Sequence, residues 1–218
     1  MKRVYIVVEG QTEQEFVNSV ISPYLQNFGI LNVTPILIRT SRTGRGGMVS
    51  YSHLANTIKP LLMSEKNDYI VTTFIDFFRL PHDMPHYGDS MKKSDKIEQI
   101  KSLEEAINVA IGDRRFFSYI QLHEFEALLF SSNKGFEYYF SKELAEKTAS
   151  IISSYDNPED INTSPKGAPS KRLLAIKSDY NKVLEGNLIA LEIGIKSILE
   201  KCPRFAEWIN DIIEKSKQ

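Results

Sequence analysis

Tyr69-Ile-Val-Thr-Thr-Phe-Ile-Asp76 is the stretch that decides the fold: an apolar run, rich in β-branched and aromatic residues, that ends in an acid. Arg3-Val-Tyr-Ile-Val-Val8 is a second run of this kind and leads into Glu9. Such runs, each followed by a helical pattern, are typical of parallel strands that helices cover on both faces. Ligands of open parallel sheets bind beyond the carboxyl ends of the strands. Glu9 and Asp76 are therefore predicted to lie together on the functional rim of the sheet.

The rest of the chain predicts two further strands and a series of helices. Val33–Arg39 reads as a strand whose Pro35 favours a sheet edge, and Phe116–Gln121 reads as the fourth strand. The capping-box spacing of Thr12 and Glu15 predicts that a helix opens at about residue 13. Further helices are predicted over Tyr51–Met63, from Ser94 or Asp95, and over Phe136–Ile152, Pro169–Tyr180, Asn187–Glu200 and Phe205–Lys215.

This order of elements predicts an α/β fold. We expect a four-stranded, mostly parallel sheet flanked by helices over residues 1–132, and a helical C-terminal region, residues 133–218, packed on it. The 218 residues, 42% of them hydrophobic, are enough for a large core of this kind.

Charge and cysteine content narrow the classes of protein. Lys and Arg number 27 against 28 for Asp and Glu, so an overall basic surface is excluded, although a local basic patch is not. Cys202 is the only cysteine, which excludes an intramolecular disulfide and favours a reducing compartment. No apolar run approaches the roughly 20 residues that span a bilayer, and the N-terminus lacks the pattern of a signal peptide. We expect a cytoplasmic protein without a membrane partner.

Glu9 and Asp76 form a candidate site for a divalent metal. Mg²⁺ prefers oxygen ligands and takes one or two carboxylates, completing its shell with water and substrate phosphates. A metal held there would polarise a phosphoryl oxygen or generate an attacking hydroxide. The alternative is that each acid caps the helix that follows it, where a carboxylate meets the positive end of the helix dipole.

His123-Glu-Phe-Glu126, at the end of the fourth strand, is a second candidate segment. If it begins a helix, Glu126 lies on the same face as His123. Glu124 or Glu126 would complete the metal site, and His123 or Glu126 would serve as a catalytic group. For a shared metal site we expect carboxylate oxygens of Asp76 and one of these glutamates within about 8 Å of each other. Solvated acids in a first helical turn are an equally good interpretation.

Phosphate or nucleic-acid contacts are predicted at three places. Thr40–Gly47 contains three glycines and two arginines, although it lacks the Gly-Lys-Ser/Thr of a P-loop, and a flexible surface turn is as good an interpretation. The second place is a group of basic side chains near Lys166, at the predicted start of a helix. The third place is the first turn after Glu9. The candidate residues are Gly10, Glu13, Arg42, Arg45, Lys171 and Arg172.

Longer motifs resemble known families. Val8-Glu-Gly-Gln-Thr-Glu-Gln-Glu-Phe-Val17 resembles the first motif of the TOPRIM-like proteins, a fold of topoisomerases, primases and overcoming-lysogenization-defect nucleases. Four other segments resemble an uncharacterised bacterial family, domain of unknown function 4276, and the resemblance spans nearly the whole chain. These segments are Gln121–Phe130, Pro158–Asn162, Ala168–Leu173 and Cys202–Trp208.

The resemblance implies a nuclease dependent on Mg²⁺ or Mn²⁺ that cleaves DNA or RNA, with Glu9 as general base or metal ligand and Asp76 as metal ligand. It also implies an ATPase partner protein in phage defence, and a homo-oligomer is compatible with it. The TOPRIM pattern has Asp-x-Asp after the third strand, whereas this chain has Asp76-Phe77-Phe78. Two alternatives stay open: a non-catalytic effector or regulatory subunit that binds an ATPase, and a small-molecule phosphotransferase or phosphatase.

Overall fold

The computed structural model describes residues 2–40, 47–63, 66, 68–161 and 167–218. Its sheet has the order β2-β1-β3-β4, with the short β5 also paired to β3, and every strand pairing is parallel. The strands are β1 (Arg3–Val8), β2 (Val33–Leu37), β3 (Tyr69–Asp76), β4 (Phe116–Phe117) and β5 (Ile120–Gln121). The predicted α/β class is confirmed, and β2, which contains Pro35, lies at the edge of the sheet as expected.

Helices follow the strands and account for most of the C-terminal half. Their bounds are α1 (Gln11–Phe16), α2 (Ser22–Gln26), α3 (Tyr51–Leu62), α4 (Tyr87–Ser90), α5 (Lys96–Ile111), α6 (Glu126–Leu129), α7 (Lys134–Tyr139), α8 (Lys142–Ile152), α9 (Pro169–Ile176), α10 (Leu184–Ile193), α11 (Ile195–Lys201) and α12 (Pro203–Lys217). A π-helical turn, Val17–Ile21, joins α1 to α2, and Pro158–Asp160 is a 3₁₀ turn. None of the helices in the described residues is long and apolar enough to cross a membrane.

Two predicted local features are wrong. The capping box is absent, because α1 starts at Gln11 with Gly10 as its N-cap and without a side-chain cap, which leaves Thr12 inside the helix. The predicted strand Phe116–Gln121 is two short strands. Between them the Thr73 hydroxyl donates to the Tyr119 carbonyl and accepts from the Tyr119 N–H, both at 2.7 Å. This side chain replaces ladder hydrogen bonds, so the strand is interrupted there.

Two predicted long helices are also divided. The Ser141 hydroxyl accepts from the Leu144 N–H, so a new helix, α8, begins inside the predicted helix Phe136–Ile152. Gly194, with φ of 77°, separates α10 from α11 within the predicted helix Asn187–Glu200. A positive φ costs glycine little because it has no Cβ, and the chain uses that freedom to change direction.

The sheet separates two hydrophobic clusters. Side chains alternate along β1, so Val4, Ile6 and Val8 face one cluster while Val7 faces the other. The first cluster also contains side chains of the C-terminal helices, among them Phe205 and Trp208, and the second is covered by α3 and α5. The C-terminal helices therefore share a core with the sheet. Division of the chain into residues 1–132 and 133–218 stays a prediction.

Candidate active site

Three carboxylates converge on one ammonium at the carboxyl ends of β1 and β3. The Lys182 Nζ lies 3.3 Å from Glu13 Oε1, 3.6 Å from Asp76 Oδ2 and 3.3 Å from Glu126 Oε2. Burial is the main reason that the pKa of Asp76 is raised, and charge repulsion from Glu13 and Glu9 adds to it, so we group Glu9 with these residues. We call these five residues the rim cluster.

The end of β1 delivers the first two acids. Glu9 follows Val8 directly, and Glu13 lies in α1, whose N-cap is Gly10. A Cβ on Gly10 would lie 3.0 Å from Glu13 Oε2, a closer approach than nine in ten real Cβ contacts. Glycine at this position therefore allows the Glu13 carboxylate to approach the backbone at the end of the strand.

The carboxyl end of β3 carries Asp76, which in turn positions Glu126. Asp76 Oδ1 accepts a hydrogen bond of 3.0 Å from the Phe125 N–H, at the start of α6. Glu126, the next residue, is 1% exposed. Neither of its carboxylate oxygens has a well-aligned hydrogen-bond donor within the described residues. Its charge is compensated there by the ion pair with Lys182. A buried carboxylate with so little compensation is costly to the fold.

Lys182 comes from a turn that precedes α10. The Asn181 side chain accepts from the Leu184 N–H at 3.0 Å, and Glu185 Oε2 accepts from the Asn181 N–H at 2.7 Å. The Asn187 amide donates to the Thr12 carbonyl at 3.2 Å and so ties α10 to α1. The backbone that carries Lys182 is therefore fixed against the helix that carries Glu13.

Burial dominates the electrostatics of the cluster. It raises the pKa of Glu9 to about 7, with a further contribution from Glu13. Burial also raises the pKa of Asp76 well above its ordinary value and raises that of Glu126, although Lys182 acts in the opposite direction on both. Burial lowers the pKa of Lys182, but Asp76, Glu126 and Glu13 outweigh it and hold that pKa well above its usual range. Burial therefore favours the neutral form of these carboxyl groups, and the Lys182 ammonium favours their ionised form.

The donor set of the rim cluster suits a hard divalent cation. All its potential ligands are carboxylate oxygens, and the uncompensated Glu126 supplies the unmet acceptor capacity that Mg²⁺ or Mn²⁺ would satisfy. Among the residues the structure describes, no group of three His, Cys, Asp or Glu side chains is already arranged to hold a metal ion. The Lys182 ammonium lies where their oxygens come together.

Glu126 meets the distance expected of a residue that shares a site with Asp76. One oxygen of each contacts the same Lys182 nitrogen, at 3.3 and 3.6 Å, so the two oxygens lie no more than about 7 Å apart. The geometric condition is met, and metal binding itself stays a prediction.

Glu124 and His123 have other surroundings. The two oxygens of Glu124 accept from the Ser170 N–H at 3.1 Å and the Ser170 hydroxyl at 2.9 Å, so this carboxylate holds the start of α9. His123 is buried with a left-handed φ of 69°, and its carbonyl accepts from the Phe78 N–H. Burial and the nearby Lys96 lower the pKa of His123 to about 4, so its imidazole is neutral at pH 7.

The predicted phosphate-binding residues that the structure describes are dispersed. The Arg172 guanidinium donates to the Gly167 carbonyl and the Tyr155 hydroxyl, which gives it a structural role, whereas Lys171 is exposed on α9. Gly10 and Glu13 lie in the rim cluster. Arg42 and Arg45 lie outside the described residues, as does Lys166.

Sequence reasoning missed Lys182 and assigned Glu13 to phosphate binding. The available signal for Glu13 was its four-residue spacing from Glu9 across the end of a strand. For Lys182 no local pattern was available, because the residue lies in a turn far along the chain from the acids it contacts.

Nearly the whole chain is similar to a known family and to solved structures. A family model described as "Domain of unknown function (DUF4276)" matches residues 8–213. The C-terminal region of the Burkholderia pseudomallei OLD protein is similar at 16% identity and a TM-score of 0.49, with 99% of this chain and 97% of that one covered. The corresponding region of the Xanthomonas campestris pv. campestris OLD protein gives 15% identity and 0.45, with 100% and 99% covered. No curated protein matches the chain.

Proposed function

The chain belongs to the DUF4276 family, and we propose that it is a divalent-metal-dependent nuclease that cleaves phosphodiester bonds of DNA or RNA. The observation that carries the proposal is the convergence of Glu13, Asp76 and Glu126, with Glu9 beside them. They lie at the carboxyl ends of parallel strands, where ligands bind. Buried acids without matching donors are unfavourable for folding alone, which supports a ligand role for them.

The rim cluster offers residues for both parts of the reaction. Glu13, Asp76 and Glu126 would hold Mg²⁺ or Mn²⁺, which when bound supplies Lewis-acid polarisation of a phosphoryl oxygen. Glu9 would accept a proton from the attacking water, because its pKa of about 7 suits a general base near neutral pH. The backbone of Met48 and of Asp76 lowers this pKa, but less than burial raises it.

Substrate and partner follow the same proposal. Nucleic acid would bind at the rim, with exposed Lys171 and the arginines of Thr40–Gly47 as candidate phosphate contacts. On the sequence resemblance alone, we propose an ATPase partner and a role in phage defence.

Two observations favour a second candidate, a non-catalytic effector or regulatory subunit. Lys182 already gives the acids a counter-charge, and Phe78 occupies the place of the second aspartate of the TOPRIM pattern. A protein of this kind would use the cluster as a buried ionic contact between α1, α6 and the turn before α10.

A cleavage assay separates the two candidates. The full chain is incubated with plasmid, single-stranded DNA and tRNA, each with Mn²⁺ or with a chelator. We expect Mn²⁺-dependent cleavage of at least one substrate, and Glu9→Gln should lower its rate by about 100-fold because a general base is removed. Glu15→Gln, which changes an exposed glutamate on α1, the helix that follows Glu9, is the control and should cleave at the wild-type rate.

Two results would count against the nuclease. Cleavage that Glu9→Gln leaves unchanged would come from another site or another protein. Lack of cleavage of all three substrates would favour the non-catalytic effector.

A further inference from the structure

Lys182 occupies the position that a bound cation would need. Its ammonium has three N–H donors and lies within ion-pair distance of three carboxylates from three different elements. No other Lys or Arg forms an ion pair with these carboxylates within the part of the chain that the structure describes. The pairing is incomplete, since three acids share one ammonium and Glu126, at 1% exposure, lacks an aligned donor.

We propose that Lys182 is a built-in counter-ion that holds the rim cluster together without metal and leaves it when a divalent cation binds. The inference rests on the metal site of the proposed function and adds how that site is controlled. Metal affinity would then be set by competition with a side chain of the same protein.

Geometry prevents both cations from using the same oxygens. Mg²⁺–oxygen bonds are about 2.1 Å, so an ion that contacts the Glu13, Asp76 and Glu126 oxygens would lie close to the present position of Nζ. Two cations a few ångströms apart repel each other strongly where water is largely excluded. The ammonium must therefore move away as the metal enters.

The structure indicates which part of Lys182 is able to move. Its turn is fixed by the hydrogen bonds of Asn181 and Glu185, so the backbone is a poor hinge. The Lys182 side chain, by contrast, is 35% exposed, and its four-carbon stem can rotate its charged end into water. Phe125, whose ring centroid lies 5.9 Å from Nζ, is the aromatic contact that the ammonium would give up.

The first test compares Mn²⁺ affinity by calorimetry in the wild type, Lys182→Met and Lys177→Met. Removing the competing charge should tighten Mn²⁺ binding by at least about tenfold in Lys182→Met. Lys177 is the matched control, because it lies five residues away and pairs with Asp179 and Glu185 rather than with the rim cluster. Lys177→Met should bind Mn²⁺ like the wild type. Equal affinities in the wild type and Lys182→Met would overturn the inference while leaving the metal site intact.

The second test needs no substitution and measures movement directly. The wild-type chain is acetylated with a lysine-selective reagent, with and without saturating Mg²⁺, and each site is quantified by mass spectrometry. Labelling of Lys182 should rise several-fold when Mg²⁺ is present, while labelling of Lys177 stays constant. A Lys182 rate that is unchanged or falls with Mg²⁺ would show that the ammonium remains in place. If calorimetry detects no Mn²⁺ or Mg²⁺ binding at all, the metal site of the proposed function fails, and the inference with it.

Discussion

Two buried clusters of charge in this molecule are built differently. In the rim cluster one ammonium is shared by Glu13, Asp76 and Glu126. A second group, the capping cluster, consists of Glu104, Glu159 and Arg204. There Glu159 Oε2 accepts from the Arg204 N–H in the first turn of α12 (3.0 Å), and the Arg204 guanidinium donates to Glu104 Oε1 (2.8 Å), which also accepts from a backbone N–H.

Under the proposed function, the difference separates charge that serves folding from charge that would bind a ligand. In the capping cluster each carboxylate has a donor from the fold, the Arg204 guanidinium for Glu104 and the Arg204 N–H for Glu159, although Glu159 Oε1 and Arg204 Nε are also buried without a hydrogen-bond partner. In the rim cluster neither oxygen of Glu126 has a hydrogen-bond partner among the described residues. The cluster lies at the carboxyl ends of the parallel strands, where ligands bind. We therefore expect substitutions in the capping cluster to affect stability, and those in the rim cluster to affect metal binding and cleavage.

The largest effect on stability is expected from Arg204→Met. It leaves Glu104 without its ion-pair partner and removes a nearby positive charge from Glu159, which should lower the free energy of unfolding by about 3 kcal/mol. Urea unfolding measures the loss, and the stabilisation by Mn²⁺ should be the same as in the wild type. A loss of stability below about 1 kcal/mol, or a loss of the Mn²⁺ effect, would remove the distinction between the clusters.

Glu159 should make stability depend on pH. Burial raises its pKa to about 7 in the folded protein, above the ordinary value of 4.5. The folded state therefore holds a proton that the unfolded state has lost, and this contribution is present below pH 4.5 and is lost as the pH rises through about 7. Its size is at most about 3 kcal/mol. Unfolding free energies of the wild type and Glu159→Gln at pH 5 and pH 8 give the contribution by difference, and an equal decline in both proteins would contradict it.

Lys171 tests a contact outside both clusters, and its effect should be the smallest. It is exposed on α9, so Lys171→Ala should leave stability unchanged. If it contacts a phosphate, nucleic-acid binding should weaken a few-fold, and the slope of log affinity against log salt should fall by about 0.7–0.9. Fluorescence anisotropy in chelator measures this, with exposed Lys196 replaced by Ala as the control. A salt slope that Lys171→Ala leaves unchanged would remove Lys171 from the proposed contacts.

Much of the fold was predictable because its signals are local. β3 has the predicted bounds, Tyr69–Asp76, since a continuous apolar run reports burial on both faces of a parallel sheet. The division of the fourth strand was not predictable. It depends on the Thr73 hydroxyl of another strand, and no pattern within residues 116–121 indicates that contact.

The candidate site was likewise predictable only where its signals in the sequence are local. Glu9 and Asp76 were found because the ends of parallel strands meet at one edge of the sheet. Glu126 was predicted from its place after the fourth strand, but nothing distinguished it from Glu124, whose oxygens Ser170 engages. Lys182 could not be predicted as a site residue, because its position depends on how α10 packs against α1.

The central claim is that the rim cluster binds a divalent cation, and thermal melting with and without Mn²⁺ tests it most directly. A ligand at about 100 times its dissociation constant adds roughly 2.7 kcal/mol, which should raise the melting temperature of a chain this size by about 5–10 °C. The rise should be absent in Asp76→Asn and retained in Asp89→Asn, whose exposed carboxylate pairs only with Lys92 among the described residues. An equal rise in the wild type and Asp76→Asn would contradict the account, because the metal would then bind elsewhere.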